Sequence, residues 1–488
     1  MSGAKHQSLV KRALSGHASL GLVTAAFVYI ITLTGTMVVV LEKWQRWEQP
    51  DIAESLTLSP EAAQAAIPNV LDRERDLPST EHLYIRMPTE DLPRAVVTTD
   101  NNAWYVDNAG EVVGREAHTW TEFVAALHIH LTLPIVWGMI LVGALGVALA
   151  ALLITGVLAH PKIFKDAFRL RSRHEPDLAR ADWHNRLGVW TLPFALTIAM
   201  TGAFIGLSYA GAGTLAQAYT GGDIEPVYAT IFGDEPAHNP APAPMADIAR
   251  AMETVAQRFP ETVLTYVVVH DPMTKGQFVQ IIAEHPRRLI YGEVYSFDGV
   301  GEYLGKVGTS DGELGRQAAA STYNFHFGNY AGLPVEIAYI VFGIALCVIT
   351  STGITLWLRK RSRKGLPTER MAAVWTVTVW GIPLALLAMA WLRFVGGPSV
   401  PLVSAFWALM LLGLLFSVAQ PQRVGDKQFR KAFGIALLAS AFTHAVWFYD
   451  AAKAVLLLDT VLIAFGVAAW RPQFALRRSL MPSISRPE

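Results

Sequence analysis

The chain has 488 residues, of which 52% are hydrophobic and only 16% charged, with no net charge and a positive mean hydropathy. Average soluble domains carry about 25% charged residues, so the composition points to a membrane protein and implies no electrostatic pull toward nucleic acid. The single cysteine, Cys347, sits in an apolar run, which excludes a disulfide framework, a thiolate zinc site and a cysteine-ligated iron–sulfur cluster.

Apolar stretches of roughly 17–25 residues cross a bilayer. Eight are expected, at about 19–41, 134–158, 187–208, 335–358, 373–392, 402–419, 432–449 and 454–470. The first follows Lys5, Lys11 and Arg12 but is too long for a signal-peptide core and lacks a small-residue cleavage site, so it reads as a retained signal-anchor. Basic residues gather between spans two and three (Lys162, Lys165, Arg169, Arg171, Arg173, Arg180), after span four (Arg359, Lys360, Arg361, Arg363, Lys364) and between spans six and seven (Arg423, Lys427, Arg430, Lys431). The opposite loops hold Arg393 and Lys453 alone, and the positive-inside rule then places both termini in the cytoplasm.

Taken in order, residues 1–42 hold the N-terminus and first span, and 43–126 form an external segment. That segment opens with a helix at Ser59–Ala66 and continues as alternating strands broken by Pro-Thr-Glu-Asp and Asp-Asn-Ala-Gly turns. Residues 127–160 return through the membrane, 161–183 are a basic loop and 184–208 cross again. The second external segment, 209–325, repeats the order: a Pro-rich lead, a helix at Met245–Arg258 and four strands. A fourth span (326–358), a basic loop (359–372), four more helices (373–470) and a tail (471–488) complete the chain. Both halves run helix, external segment, helix, which is an internal repeat in parallel orientation.

The repeat extends to single residues. His17 precedes Gly21 by four and Thr34-Gly35 by seventeen; His184 precedes Gly188 by four and Thr201-Gly202 by seventeen. His128 lies 27 residues before Thr155-Gly156, and His326 lies 26 before Thr352-Gly353. His130 fits the spacing as well as His128, although Leu127-His128 matches Phe325-His326 better in local context.

The segments DWHNRLGVWTLPFALTIAMTGAF and FHFGNYAGLP, with the two external α/β units, resemble the PepSY-associated transmembrane family over roughly residues 10–362. The resemblance implies an all-α polytopic bundle of about eight transmembrane helices with two small periplasmic PepSY-like α/β modules inserted between helices, in a bacterial inner membrane. It also implies haem-dependent reduction of a ferric siderophore or other iron chelate. The four helices of the C-terminal third depart from the smallest family members.

Ionisable residues in membrane helices are costly and ask for a function, and neutral imidazole is an axial ligand of haem iron. Two facing pairs, His17 with His184 and His128 with His326, are expected to hold two bis-histidine b-type haems, one near each membrane face. Gly21 and Gly188, one turn from their histidines, give a flat ring room to approach, and Arg12 and Arg186 are candidates to neutralise propionates. His130 and His160 are possible additional ligands, the latter without a counterpart in the second half, where Trp357 stands. His444, without a repeated partner, reads as a packing or hydrogen-bonding residue. His82, His118, His238, His270 and His285 read as solvated surface, and so do His6 and His174. Trp190 reads equally as core or as a porphyrin neighbour, and Tyr323, Asn324, Asn329 and Tyr330 are candidates for the external rim.

No nucleotide- or flavin-binding motif is visible, so electrons are expected from an unidentified donor, a quinol or a cytoplasmic reductase. Two other functions stay open at this point. One is a membrane-anchored peptide-binding or protease-regulating protein without redox activity; the other is a transporter.

Overall fold

The structure is a computed structural model that describes residues 2–168, 176–232, 238–285, 289–290 and 292–470. Arg169, Arg171, Arg173, His174 and the tail 471–488 lie outside the described residues. In the first half, α1 (Ser2–Val38) is followed by α2 (Leu41–Glu48) and α3 (Pro60–Arg73). The strands β1 (His82–Arg86), β2 (Ala95–Thr99), β3 (Ala103–Val106) and β4 (Val112–Arg115) come next, then α4 (Thr119–His130) and α5 (Ile135–Ala159). A short α6 (Ile163–Asp166) leads to the second half. There α7 (Pro176–Trp190), α8 (Leu192–Tyr219), α9 (Glu225–Phe232) and α10 (Ile248–Arg258) precede β5 (Val263–His270), β6 (Phe278–Glu284), β7 (Glu293–Asp298) and β8 (Tyr303–Val307). The half closes with α11 (Leu314–Phe327) and α12 (Leu333–Ser362). The C-terminal unit comprises α13 (Glu369–Thr376), α14 (Ile382–Gly396), α15 (Leu402–Ala419), α16 (Asp426–Trp447) and α17 (Lys453–Trp470).

Seven helical stretches among the described residues are long and apolar enough to cross a membrane: Leu9–Val38, Ile135–Ala159, Leu192–Tyr219, Leu333–Ser362, Glu369–Gly396, Leu402–Ala419 and Lys453–Trp470. The chain is therefore a multi-pass membrane protein. The eighth expected span, 432–449, falls in α16, which forms a helix but carries Asp426, Lys427, Arg430 and Lys431 in its first turns. Three spans break where the sequence suggested continuous helices. Leu131 and Thr132, both at positive φ, end α4 before Pro134 starts α5. Gly328, Ala331 and Gly332 do the same between α11 and α12, and Thr191 separates α7 from α8, which carries Pro193 in its first turn. A π-helical turn at Val377–Gly381 joins α13 to α14.

The two external segments do not form separate modules. Their strands make one antiparallel sheet in the order β4-β3-β2-β1-β5-β6-β7-β8. The seam pairs β1 with β5, placing His82 opposite His270, Tyr84 opposite Val268 and Arg86 opposite Tyr266. Both external helices lie on one face, where Ala63, Ala66, Ile67 and Val70 of α3 and Ile248, Ala251 and Val255 of α10 share a core with Leu83, Ile85, Val267, Val269 and Phe297. Gln64 joins the helices: its amide donates to the Ala246 carbonyl at 3.0 Å and its oxygen accepts from the Ile248 amide at 2.8 Å. The sequence expectation ended α3 at Ala66. The helix runs on to Arg73, since Ile67 and Val70 are fully buried in that core.

Candidate functional site

Four helices bring the four repeated histidines into two pairs. On the side away from the sheet, the His17 and His184 rings stand 6.4 Å apart between centroids, with planes at 79°. On the sheet side, His128 and His326 stand 6.0 Å apart with planes at 26°. These separations also suit a metal held between the rings. Two metal–nitrogen bonds of about 2 Å, plus about 1 Å from each nitrogen to its ring centre, span about 6 Å.

Each ring is fixed in the same way, by the Thr-Gly doublet of a neighbouring helix. The Nδ1–H of His17 donates to the Leu152 carbonyl at 3.0 Å, that of His128 to the Ile31 carbonyl at 3.0 Å and that of His184 to the Ile349 carbonyl at 3.0 Å. Each acceptor lies three residues before a doublet threonine. His184 Nδ1 also meets Thr352 Oγ1 at 3.2 Å, and His326 Nδ1 meets Thr201 Oγ1 at 3.0 Å. The threonine hydroxyls spend their single proton on carbonyls four residues earlier, Thr201 on Thr197 and Thr352 on Val348, each at 2.7 Å. They therefore accept from imidazole rather than donate to it. With Nδ1 as donor in all four rings, Nε2 keeps its lone pair, the state a metal-ligating histidine needs.

The glycine of each doublet makes room for the ring. A Cβ on Gly35 would lie 2.7 Å from His128 Cε1, on Gly202 2.9 Å from His326 Cε1, on Gly353 3.2 Å from His184 Cε1 and on Gly156 3.3 Å from His17 Cε1. Within each half the arrangement is reciprocal. His17 of α1 seats on α5 while His128 of α4 seats on α1; His184 of α7 seats on α12 while His326 of α11 seats on α8.

Two apolar cavities open between the rings. The cavity beside His17 and His184 is about 850 Å³, the size of a small-molecule or cofactor site. Gly21 and Gly188 line it; a Cβ on Gly188 would meet nothing within 4 Å, and one on Gly21 only Leu152 at 3.6 Å. The cavity beside His128 and His326 is about 160 Å³. Val28, Thr32, Leu149 and Leu346 line both, so the two adjoin through the bundle. Among the described residues no group of three or more His, Cys, Asp or Glu suits a metal ion. Two imidazoles are too few for a bare ion, whereas a haem asks the protein for no more than two such ligands.

Other expected residues fall elsewhere. Arg12 and Arg186 do not line the cavity; Arg12 is exposed and Arg186 buried. At about 100° per residue, Arg186 lies roughly 200° round the helix from His184, on its far side. Lys11, Lys360, Arg361 and Lys364 line the cavity instead. His160 lines the same cavity, whereas His130 closes the turn after α4, its Nδ1–H donating to the Leu133 carbonyl at 2.7 Å. Trp190 is exposed and lines neither cavity. Asn324 is buried and donates to the Ile290 carbonyl at 2.7 Å, so it braces α11 rather than rimming a site.

Two histidines read as surface are interior. His118 Nε2 lies 2.6 Å from Tyr105 Oη, and His270 stacks on Phe278 at 4.1 Å. His82 and His238 are exposed as expected. His444 is fully buried, between Asp459 Oδ2 at 2.9 Å and the Trp47 carbonyl at 3.0 Å. The residues that sequence reasoning left without a role are the Thr-Gly doublets themselves. Their signal was present, one doublet for each histidine, but nothing in a linear spacing says which histidine a doublet faces.

A family model described as the PepSY-associated TM region matches residues 14–360, ending within α12, so the C-terminal unit lies outside the match. An uncharacterized protein of Pseudomonas aeruginosa is 25% identical over 375 residues, covering 71% of this chain and 92% of that protein.

Proposed function

This chain belongs to the PepSY-associated TM family, and from that premise we propose that it is a dihaem membrane oxidoreductase that delivers electrons to an acceptor outside the cytoplasm. The observation that carries the reading is the pairing: four Nε2 atoms kept as acceptors, in two pairs whose rings stand 6.0–6.4 Å apart across an apolar cavity. His17 and His184 would hold one b-type haem and His128 and His326 the other. Bound haem would supply reversible one-electron chemistry, with one histidine of each half holding its iron. The chain's own residues orient the ligands and exclude water from them. His17 and Gly35, the latter against His128, are 18 residues apart on α1, about 27 Å at 1.5 Å per residue. The two pairs thus stand toward opposite faces of a bilayer core of about 30 Å.

In this reading the chain lies in a bacterial inner membrane, with the basic residues Lys360, Arg361 and Lys364 toward the cytoplasm and the sheet, as PepSY-like units, in the periplasm. The acceptor is a ferric siderophore or other iron chelate, and the donor a quinol or a cytoplasmic reductase. The test is a reduced-minus-oxidised spectrum of the purified protein with haem counted per chain. The expected result is a b-type spectrum with two haems, falling to one in His184→Ala or His326→Ala, and reduction of a ferric chelate that is lost in both variants. A folded chain that binds no haem overturns the proposal.

A further inference from the structure

The two histidine pairs are seated alike but turned differently. We propose that the Thr-Gly seats set the imidazole planes, crossing them at the His17/His184 site and aligning them at the His128/His326 site, so that the two haems are of different electronic type. The inference rests on the dihaem reading above.

Three observations combine here. The ring planes meet at 79° in one pair and 26° in the other. Each ring is held at two points, an Nδ1–H bonded to a carbonyl or threonine and a Cε1 against a glycine. The two points lie on the same side of the ring as the seat helix, so rotation about the axis through Nε2 would break the hydrogen bond or drive Cε1 into backbone. Thr201 is the main hold on His326, with the Ile198 carbonyl also facing that ring. At the other site His17 meets Leu152 and, at 3.4 Å, Thr155, while His184 meets Ile349 and Thr352.

Plane angle matters because each imidazole interacts by π-overlap with the iron d orbital perpendicular to its own plane. Parallel planes act on one of the two π-type d orbitals and split the pair. Crossed planes act on both and leave them nearly equal in energy. In the ferric state the first arrangement gives a rhombic electron paramagnetic resonance spectrum with three resolved features. The second gives a strongly anisotropic spectrum dominated by one feature at lower field. Thr155, Thr201 and Thr352 and the glycines beside the rings are therefore positioning residues, acting through the histidines rather than on the haem.

The test is low-temperature electron paramagnetic resonance of the oxidised, two-haem protein. Both spectral types are expected in equal amounts. His184→Ala should remove the strongly anisotropic signal and His326→Ala the rhombic one. Gly202→Ala, whose Cβ would press on His326, should shift the rhombic signal alone with two haems still bound, and Gly353→Ala the other alone. Thr201→Val should broaden or shift the rhombic signal and Thr201→Ser restore it. Two haems with identical spectra, or a rhombic signal unmoved in both Gly202→Ala and Thr201→Val, overturn this inference and leave the dihaem function standing. A haem-free protein overturns both.

Discussion

The two halves of the bundle match seat for seat, yet among the described residues the first is braced by more hydrogen bonds than the second. Tyr29 of α1 donates its hydroxyl to the Val379 carbonyl at 2.8 Å, in the π-helical turn of the C-terminal unit. Trp120 of α4 donates to the Leu386 carbonyl at 2.9 Å, and Trp407 to Thr132 Oγ1 at 2.8 Å. Glu48 of α2 accepts from the Trp120 and Thr121 amides at the start of α4 and pairs with Arg393 at 3.1 Å. Trp47 closes a ring with Asp459 and His444, donating to one and accepting from the other. The second half meets the unit mainly through Trp375, which donates to the Ser351 carbonyl at 3.3 Å. The helix that carries His128 is thus held from outside the repeat, whereas the one that carries His326 relies on its own half, through Asn324 and the Tyr339 hydroxyl on the Phe325 carbonyl. The internal repeat sets the symmetry of the histidine seats, and the C-terminal helices break the symmetry of their support.

That contrast can be broken most forcefully at the buried groups. Asp459→Ala strips His444 and Trp47 of a shared buried hydrogen-bond partner, and each buried polar group left unsatisfied costs about 1–3 kcal/mol. The expected result is a large drop in thermal stability in detergent and, in the proposed dihaem protein, disturbance of the His128/His326 site before the other. If the His17/His184 haem is lost first, the bracing does not act on the first half's α4. On the less braced side, Asn324→Ala should cost about 1–3 kcal/mol, the price of an unsatisfied Ile290 carbonyl, measured by the same melt. Tyr29→Phe removes one neutral hydrogen bond and should cost about 1 kcal/mol. Lys43→Met, which cuts partly exposed links from α2 to Asp91 in the β1–β2 loop and to Glu336 of α12, should cost at most about 1 kcal/mol.

The sheet offers a pH comparison. Glu116 lies 2.7 Å from Arg86 and 3.2 Å from His118. Burial alone would raise its carboxyl, but the His118 hydrogen bond and the Arg86 charge outweigh that and hold it below the usual carboxylate range. A depressed carboxylate adds stability above its unfolded pKa, and that stability is lost as pH falls through the folded value. Acid unfolding of the sheet should therefore begin below the usual carboxylate range, and Arg86→Met should move it to higher pH in a circular-dichroism titration.

The first four spans and the histidine repeat were legible in the sequence because both are local or periodic: a run of apolar residues and a fixed count between His17 and Thr34 or His184 and Thr201. What the sequence hid was pairing across distance. No spacing reveals that β1 meets β5, that Gly35 faces His128 rather than His17, or that Lys360 and Arg361 line the cavity where Arg12 and Arg186 do not. His118 read as surface because only the folded sheet brings Tyr105 and Glu116 around it. The C-terminal span at 432–449 read as apolar from its later residues, while the charges that open α16 precede the stretch that was weighed.

The seam between β1 and β5 has a consequence for ancestry and assembly. Leu83 pairs with Val269 and Ile85 with Val267 about a centre at Tyr84 and Val268, so equivalent strands meet through the same face. That is an isologous contact, the kind that joins two identical subunits around a two-fold axis. Every histidine seat is complete within one half, and each of the two histidine pairs takes one histidine from each half. The chain has the arrangement of a homodimer written as one polypeptide, with a C-terminal unit that supports the first half more than the second.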